Sequence, residues 1–107
     1  MTFDEYGKTA LEFAVYPKRQ PTYCALGLCG ESGEVAEKLK KILRDKDGKI
    51  EDSDREAIAK ELSDVMWYLN AMAFELGYSL HDIAEIGIKK LTDRHRRGVL
   101  HGSGDDR

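Results

Sequence analysis

The sequence predicts an all-α protein: a four-helix bundle-like domain that assembles as a homo-oligomer. Three observations carry this expectation. Apolar residues recur at helical spacing along most of the chain, with no strand-like alternation. Start signals at Thr2-Phe-Asp-Glu5, Thr22, Ser53-Asp-Arg-Glu56 and Ser79, with stop signals at Gly77 and Gly98, divide the chain into helical lengths. The third helical segment is apolar on two opposite faces, more than four short helices of one chain cover, which is the reason to expect an oligomer.

The elements follow in order. Thr2-Phe-Asp-Glu5 is a capping box that opens a helix carrying Phe3, Tyr6, Ala10 and Phe13. Pro17 is expected to end it. Thr22 is a cap for a second helix reaching about Arg44. That helix contains Gly27, Gly30 and Gly33, each costing roughly 1 kcal/mol against Ala. Three such residues in one helix imply that something packs close to its backbone; a break near Gly27 is the alternative. Asp45 to Asp52 is a polar turn whose acids and Gly48 do not follow the spacing of a calcium loop. Ser53-Asp-Arg-Glu56 starts the third helix and Gly77 closes it. On that helix Trp67 and Phe74 lie about 160–180° from the main apolar stripe, so both are expected at an interface between copies. Ser79 caps the fourth helix, with Leu80, Ile83, Ala84, Gly87 and Leu91 on one face, and Gly98 stops it. Residues 1–98 thus form one helical domain, and 99–107 a Gly- and Asp-rich tail read as extended or mobile.

Bulk properties exclude several functions. A charged fraction of 35% with 41% apolar residues fits a soluble, helix-rich domain. The net charge of −3 gives no global basic field, so binding to DNA or RNA polymers is not expected. No apolar run approaches the ~18 residues that would span a bilayer. Cys24 and Cys29 are five apart on a predicted helix and point to different faces, so they read as reduced thiols of a cytoplasmic protein.

The pattern that carries chemistry is used twice. Glu31-Ser-Gly-Glu34 recurs thirty positions later as Glu61-Leu-Ser-Asp64, and its surroundings match too: Leu28 on Ile58, Val35 on Val65, Leu39 on Leu69, Ile42 on Met72. At ~100° per residue, each copy sets its apolar residues in one stripe with both acids on the same shoulder. Packed antiparallel, stripe to stripe, the two helices bring four carboxylates together midway along the bundle. Clustered carboxylates repel, so stability does not favour the arrangement; a hard cation does. Four carboxylates without a nearby His or Cys select Mg²⁺, with Mn²⁺ as a substitute, over Zn²⁺. Four acids exceed the need of one ion, which points to more than one metal and an in-line attack at phosphorus.

Around them, Lys38 follows Glu34 by one turn and Tyr68 takes the equivalent place after Asp64, so both are expected beside the carboxylates. Lys90 and Arg94 are four apart on one face, within a late basic run that also includes Lys89, Arg96 and Arg97, and suit phosphate groups. Each reading has a plain counterpart. A single E-x-x-E is usually a solvated helix face. A basic helix end complements the helix dipole. Trp67 suits a core or interface better than a stacking platform. His81, His95 and His101 form no ligand spacing, and Glu37, about 180° from the stripe, is expected to be exposed or to support the ligating acids from behind.

With these residues in view, the stretch from Leu26 through Glu31, Glu34 and Glu37 to Lys38, followed by Lys60-Glu61-Leu-Ser-Asp64-Val-Met-Trp-Tyr68, resembles the MazG-like nucleotide pyrophosphohydrolases, of the all-α nucleoside triphosphate pyrophosphatases. The resemblance runs from Phe3 to the Gly102-Ser-Gly-Asp-Asp-Arg107 tail, which is similar to that of small stand-alone members in bacteria and phages. It implies a MazG fold assembled as a homodimer or homotetramer. It also implies Mg²⁺-dependent hydrolysis of a (deoxy)nucleoside triphosphate to monophosphate and pyrophosphate. Glu31, Glu34, Glu61 and Asp64 match the metal-binding positions; Lys90 and Arg94 match a basic pair that contacts phosphate. Where many relatives carry Asn, this chain has Gly87, a departure that bears on nucleotide recognition. Glu34, furthest from the stripe, is the acid expected also to orient water.

The rival reading is a non-catalytic nucleotide- or partner-binding bundle with a degenerate site, against which stand acids at all four positions. A di-iron bundle needs Glu-x-x-His pairs, and the sequence has none. A purely structural role leaves the matched acids unexplained. Tyr6, Tyr16, Tyr23 and Trp67 are candidate base contacts, unranked by spacing.

Overall fold

A computed structural model describes residues 1–16 and 20–107. Four helices follow one another: α1 (Phe3–Leu11), α2 (Pro21–Lys46), α3 (Asp52–Glu75) and α4 (Leu80–Arg96), with no strand among the described residues. The expected four helices are therefore present, and Gly27 does not break α2.

The helix ends show where local signals act. Thr2 and Glu5 exchange both capping-box hydrogen bonds at the start of α1. The helix stops at Leu11, and Phe13 lies past its end and exposed rather than on its face. The expected stop, Pro17, lies outside the described residues. At α2 the N-cap is Gln20, not Thr22, because Pro21 occupies the first helical position, where its missing N–H leaves no bond unmade. The box at Ser53 is displaced in the same way: Glu51 is the N-cap of α3 and Asp54 answers it. Lys46 then ties the two helices across the turn through Asp54 at 3.0 Å. Gly48 (φ 78°) turns the chain out of α2, donating to the Ile42 carbonyl. Ser79 and Asp82 form the box expected to open α4.

α2 and α3 pack along their lengths as an antiparallel hairpin, while α1 and α4 lie against each other and against α3. One glycine decides how close the hairpin comes. A Cβ on Gly27 would overlap the Tyr68 ring, so the expected close approach exists there. Gly30 and Gly33 have open space where a Cβ would stand, so the same expectation does not hold for them.

The opposite face of α3 is partly covered by its own chain. Trp67 Nε1 donates to the Ala10 carbonyl at 3.0 Å, and buried Asn70 donates to the Gly7 carbonyl at 3.3 Å. Trp67 is thus engaged by α1 within one copy, whereas Phe74 stays 45% exposed. Cys24 is fully buried and Cys29 exposed, which places the two thiols apart as expected. No helix among the described residues is long and apolar enough to cross a membrane.

The tail differs from its expected extended form. Gly98 (φ 72°) ends α4, and a series of turns folds the tail back. The Arg107 guanidinium donates to the carbonyls of Val99, Leu100 and Gly104, and Arg97 donates to the Arg107 carbonyl oxygen. Four short-range carbonyl contacts from two guanidinium groups replace the backbone ladder that so glycine-rich a segment lacks.

Candidate functional site

The matched acids do meet. Glu31 from α2 and Glu61 and Asp64 from α3 each offer a carboxylate oxygen within 4.8 Å of the others. Glu31 and Glu61 are half-buried and Asp64 is exposed. The fourth acid, Glu34, is exposed and stands outside this set, yet close enough for its charge to act on Glu31. The apolar stripes draw α2 and α3 together, and acids beside a stripe are carried towards the partner helix. Glu34 and Asp64 hold equivalent phases on their helices, so the roll of α2 against α3 sets which of the two joins the group.

The electrostatics are those of an anion cluster. Partial burial pushes the Glu31 carboxyl above its ordinary value, and the charges of Asp64, Glu61 and Glu34 push it further the same way. One cation relieves the crowding: Lys38 Nζ lies 3.5 Å from Glu61. Lys38 therefore sits beside the carboxylates as expected. Glu37 lies on the outer side, its side chain 44% exposed, and pairs with Lys40 and Lys41 along its own helix.

An aromatic wall adjoins the acids. Tyr68 fills the space left by Gly27, and its hydroxyl is raised above its ordinary value by burial first, then by Tyr23 and by the Glu31 charge. Its ring meets Trp67 edge-on with centroids 5.0 Å apart. Tyr16 stacks on Tyr23 at 5.1 Å and donates from its hydroxyl to Glu75 at 2.5 Å. Tyr6, on α1, is raised by burial and by Asp64, so α1 brings a phenol to the rim of the acid cluster. Of the four candidate base contacts, Trp67 and Tyr16 spend their polar atoms within the fold. Tyr23 is the open one of the four, at 41% exposure, while Tyr6 is half-buried.

The basic pair sits on α4. Arg94 is 5% exposed and donates to the Asp105 carbonyl at 2.8 Å. Lys90 and Arg94 lie 3.6 and 3.5 Å from the Asp105 carboxylate. The structure pairs both with the tail rather than with any of the four acids. The sequence reading missed this partner because Asp105 lies in a segment without periodicity. It also passed over Asn70, whose buried amide ties α3 to α1 beside the wall. His81, His95 and His101 are exposed and apart from the acids, as expected.

The donor set fits a hard divalent cation. It is all carboxylate, its oxygens lie close enough to share an ion, and the crowding of like charge around Glu31 is what a cation removes. No His or Cys among the described residues joins the group.

Comparison with known proteins agrees with this chemistry. Residues 19–99 match the MazG nucleotide pyrophosphohydrolase domain family, a span that contains all four acids and the basic pair. The gene 37 protein of Mycobacterium phage L5 is 42% identical over 114 aligned residues, covering the whole of both chains. No solved structure matches.

Proposed function

The chain belongs to the MazG nucleotide pyrophosphohydrolase family, and on that premise we propose that it hydrolyses a (deoxy)nucleoside triphosphate to the monophosphate and pyrophosphate with Mg²⁺. The observation that carries the reading is the convergence of Glu31, Glu61 and Asp64 from two helices onto one 4.8 Å cluster. These three, with Glu34 beside them, would hold Mg²⁺, or Mn²⁺ in its place. When bound, the metal neutralises the triphosphate and the charge that develops at the α-phosphorus. Lys38, Tyr68, Lys90 and Arg94 are assigned to the substrate: the lysines and arginine to phosphate oxygens, the phenol to the wall of the site.

Glu34 is assigned the proton. It stands outside the three-acid set and is exposed, so its carboxylate is free to accept a hydrogen bond from water. It takes that proton as the water oxygen bonds to the α-phosphorus. The bond to the bridging oxygen breaks, and pyrophosphate leaves with the electron pair.

The protein is proposed to work in the cytoplasm as a homodimer or homotetramer. The radius of gyration is 16.6 Å, against about 13 Å for a compact chain of this length. Large apolar side chains remain open on the long hairpin, among them Leu26 at 70%, Leu43 at 68% and Leu62 at 52% exposure. A groove of about 400 Å³ along Phe3, Leu11, Phe74 and Tyr78, lined by none of the four acids, adds to that surface.

The test is product identification by chromatography after incubation with Mg²⁺ and a panel of ribo- and deoxynucleoside triphosphates, with Asp64→Asn as control. Monophosphate plus pyrophosphate from the wild type alone is expected. Folded protein that yields no product from any nucleotide, with Mg²⁺ or Mn²⁺, overturns the reading in favour of a binding module.

A further inference from the structure

The two charges at the α4–tail junction are unequal in their surroundings. The Arg94 side chain is 6% exposed, and a guanidinium so enclosed requires an anionic or carbonyl partner. The Asp105 side chain that faces it is 89% exposed. An ion pair with one partner open to water is weak and readily exchanged. The cation is thus a fixed part of the fold, and the anion is a replaceable occupant. The Asp105 carboxyl is held below its ordinary value by the Lys90 charge first and by hydrogen bonds from Arg94 and Lys90, so it stays ionised at neutral pH. The tail turn itself is shaped by its glycines: Gly104 takes a left-handed φ of 82°, and a Cβ on Gly102 would lie 2.6 Å from Arg107 Cδ. Arg94 also donates to the Asp105 carbonyl at 2.8 Å, a contact that leaves with the tail.

We propose that Asp105 is a built-in competitor: its carboxylate occupies the anion seat formed by Lys90 and Arg94, and an oligophosphate binds there by displacing the tail. This rests on the assignment of Lys90 and Arg94 to phosphate made above. Two negative oxygens of a phosphate chain answer both cations at once, which the single Asp105 Oδ1 at about the same distance from each does only partially. Tail closure then sets how much of the protein is ready to bind, and so weakens the apparent affinity by the fraction of molecules that are open.

The experiment uses inorganic tripolyphosphate in EDTA at low salt, so that the acid cluster carries no metal and repels the probe. Affinity is measured by calorimetry for the full chain, Asp105→Asn, Asp106→Asn and Asp105→Asn with Lys90→Gln. Asp105→Asn is expected to tighten binding about three- to tenfold over both the wild type and Asp106→Asn, and Lys90→Gln is expected to cancel that gain. In the wild type, the amide resonances of residues 104–107 are expected to move towards disordered positions as the probe saturates. Equal affinity in the two Asp→Asn variants, weaker binding by Asp105→Asn, or tail resonances that stay in place at saturation each overturn the proposal. No step involves metal or turnover, so a failure of the hydrolase reading is seen separately, in the product assay.

Discussion

The α2–α3 hairpin and the α4–tail junction both collect charge, but they leave it in opposite states. On the hairpin, three carboxylates from two helices share one small space with a single lysine against them, and the Glu31 carboxyl is raised. At the junction, two cations and one carboxylate meet, and the Asp105 carboxyl is lowered. The hairpin site is crowded by its own charge, which a divalent ion would offset; the junction already has its counter-charge. Folding alone does not reward the hairpin arrangement, so it is the better indicator of function. The junction has the form of a completed structural contact, and the exposure of its carboxylate is what marks it as exchangeable.

The largest expected effect tests the division of labour within the acid cluster. Glu34→Gln should lose at least about a hundredfold in turnover while still binding nucleotide in Ca²⁺. Turnover within a few-fold of wild type removes Glu34 from the proton role. Loss of Ca²⁺-supported binding makes it a metal ligand only.

Next in size is the packing that brings the acids together. Gly27→Ala should destabilise the protein by about 1–3 kcal/mol, because its methyl meets the Tyr68 ring. Gly30→Ala, one turn on with open space, should instead stabilise by about 0.5–1 kcal/mol. Denaturant unfolding of both variants checks the pair. Similar shifts in the same direction would mean that the hairpin is not closed on Tyr68 at Gly27.

The smallest effect, and the one that separates the two regions most directly, is the pH dependence of stability without metal. Glu31 has a raised folded value, so the folded state holds its proton longer than the unfolded chain does. Stability from this source is present at low pH and falls as pH rises above 4.5, the ordinary value. Asp105 has a lowered folded value, so its contribution is present above 3.8 and is lost as pH falls through its lower folded pKa. Melting temperatures measured in EDTA from about pH 3 to pH 7 should show Glu31→Gln flattening only the upper window and Asp105→Asn only the lower. Saturating Mg²⁺ should abolish the upper decline. A Glu31→Gln profile parallel to wild type above pH 4.5 would contradict the repulsion.

Legibility followed the range of the interaction. Periodicity and caps act within one or two turns, so the four helices, the box at Thr2, the box at Ser79 and the stops at Gly77 and Gly98 were readable. Where two local signals compete, the helix starts at the earlier one rather than at the Ser or Thr cap. Pro21 displaced Thr22 as the start of α2, and Glu51 displaced Ser53 at α3. The acid cluster was legible because matched helical phase is a local property that fixes which side of a stripe each residue takes. The exclusion of Glu34 from the tight set was not, since it depends on how far α2 is rolled against α3. Nor was the cover over Trp67, which comes from α1 some 57 residues away in sequence.

By itself, then, the sequence determined the helical class, the pairing of E-x-x-E with E-x-x-D on one shoulder, and the all-oxygen character of the site. All three follow from residue chemistry and a repeat of ~3.6 residues per turn. Tertiary structure alone decided which three acids close to 4.8 Å, that Gly27 rather than Gly30 or Gly33 is the close approach, and that Asp105 seats on Lys90 and Arg94. Those outcomes depend on helix roll and on a turn-rich tail held by guanidinium–carbonyl bonds. Neither leaves a periodic trace in the chain.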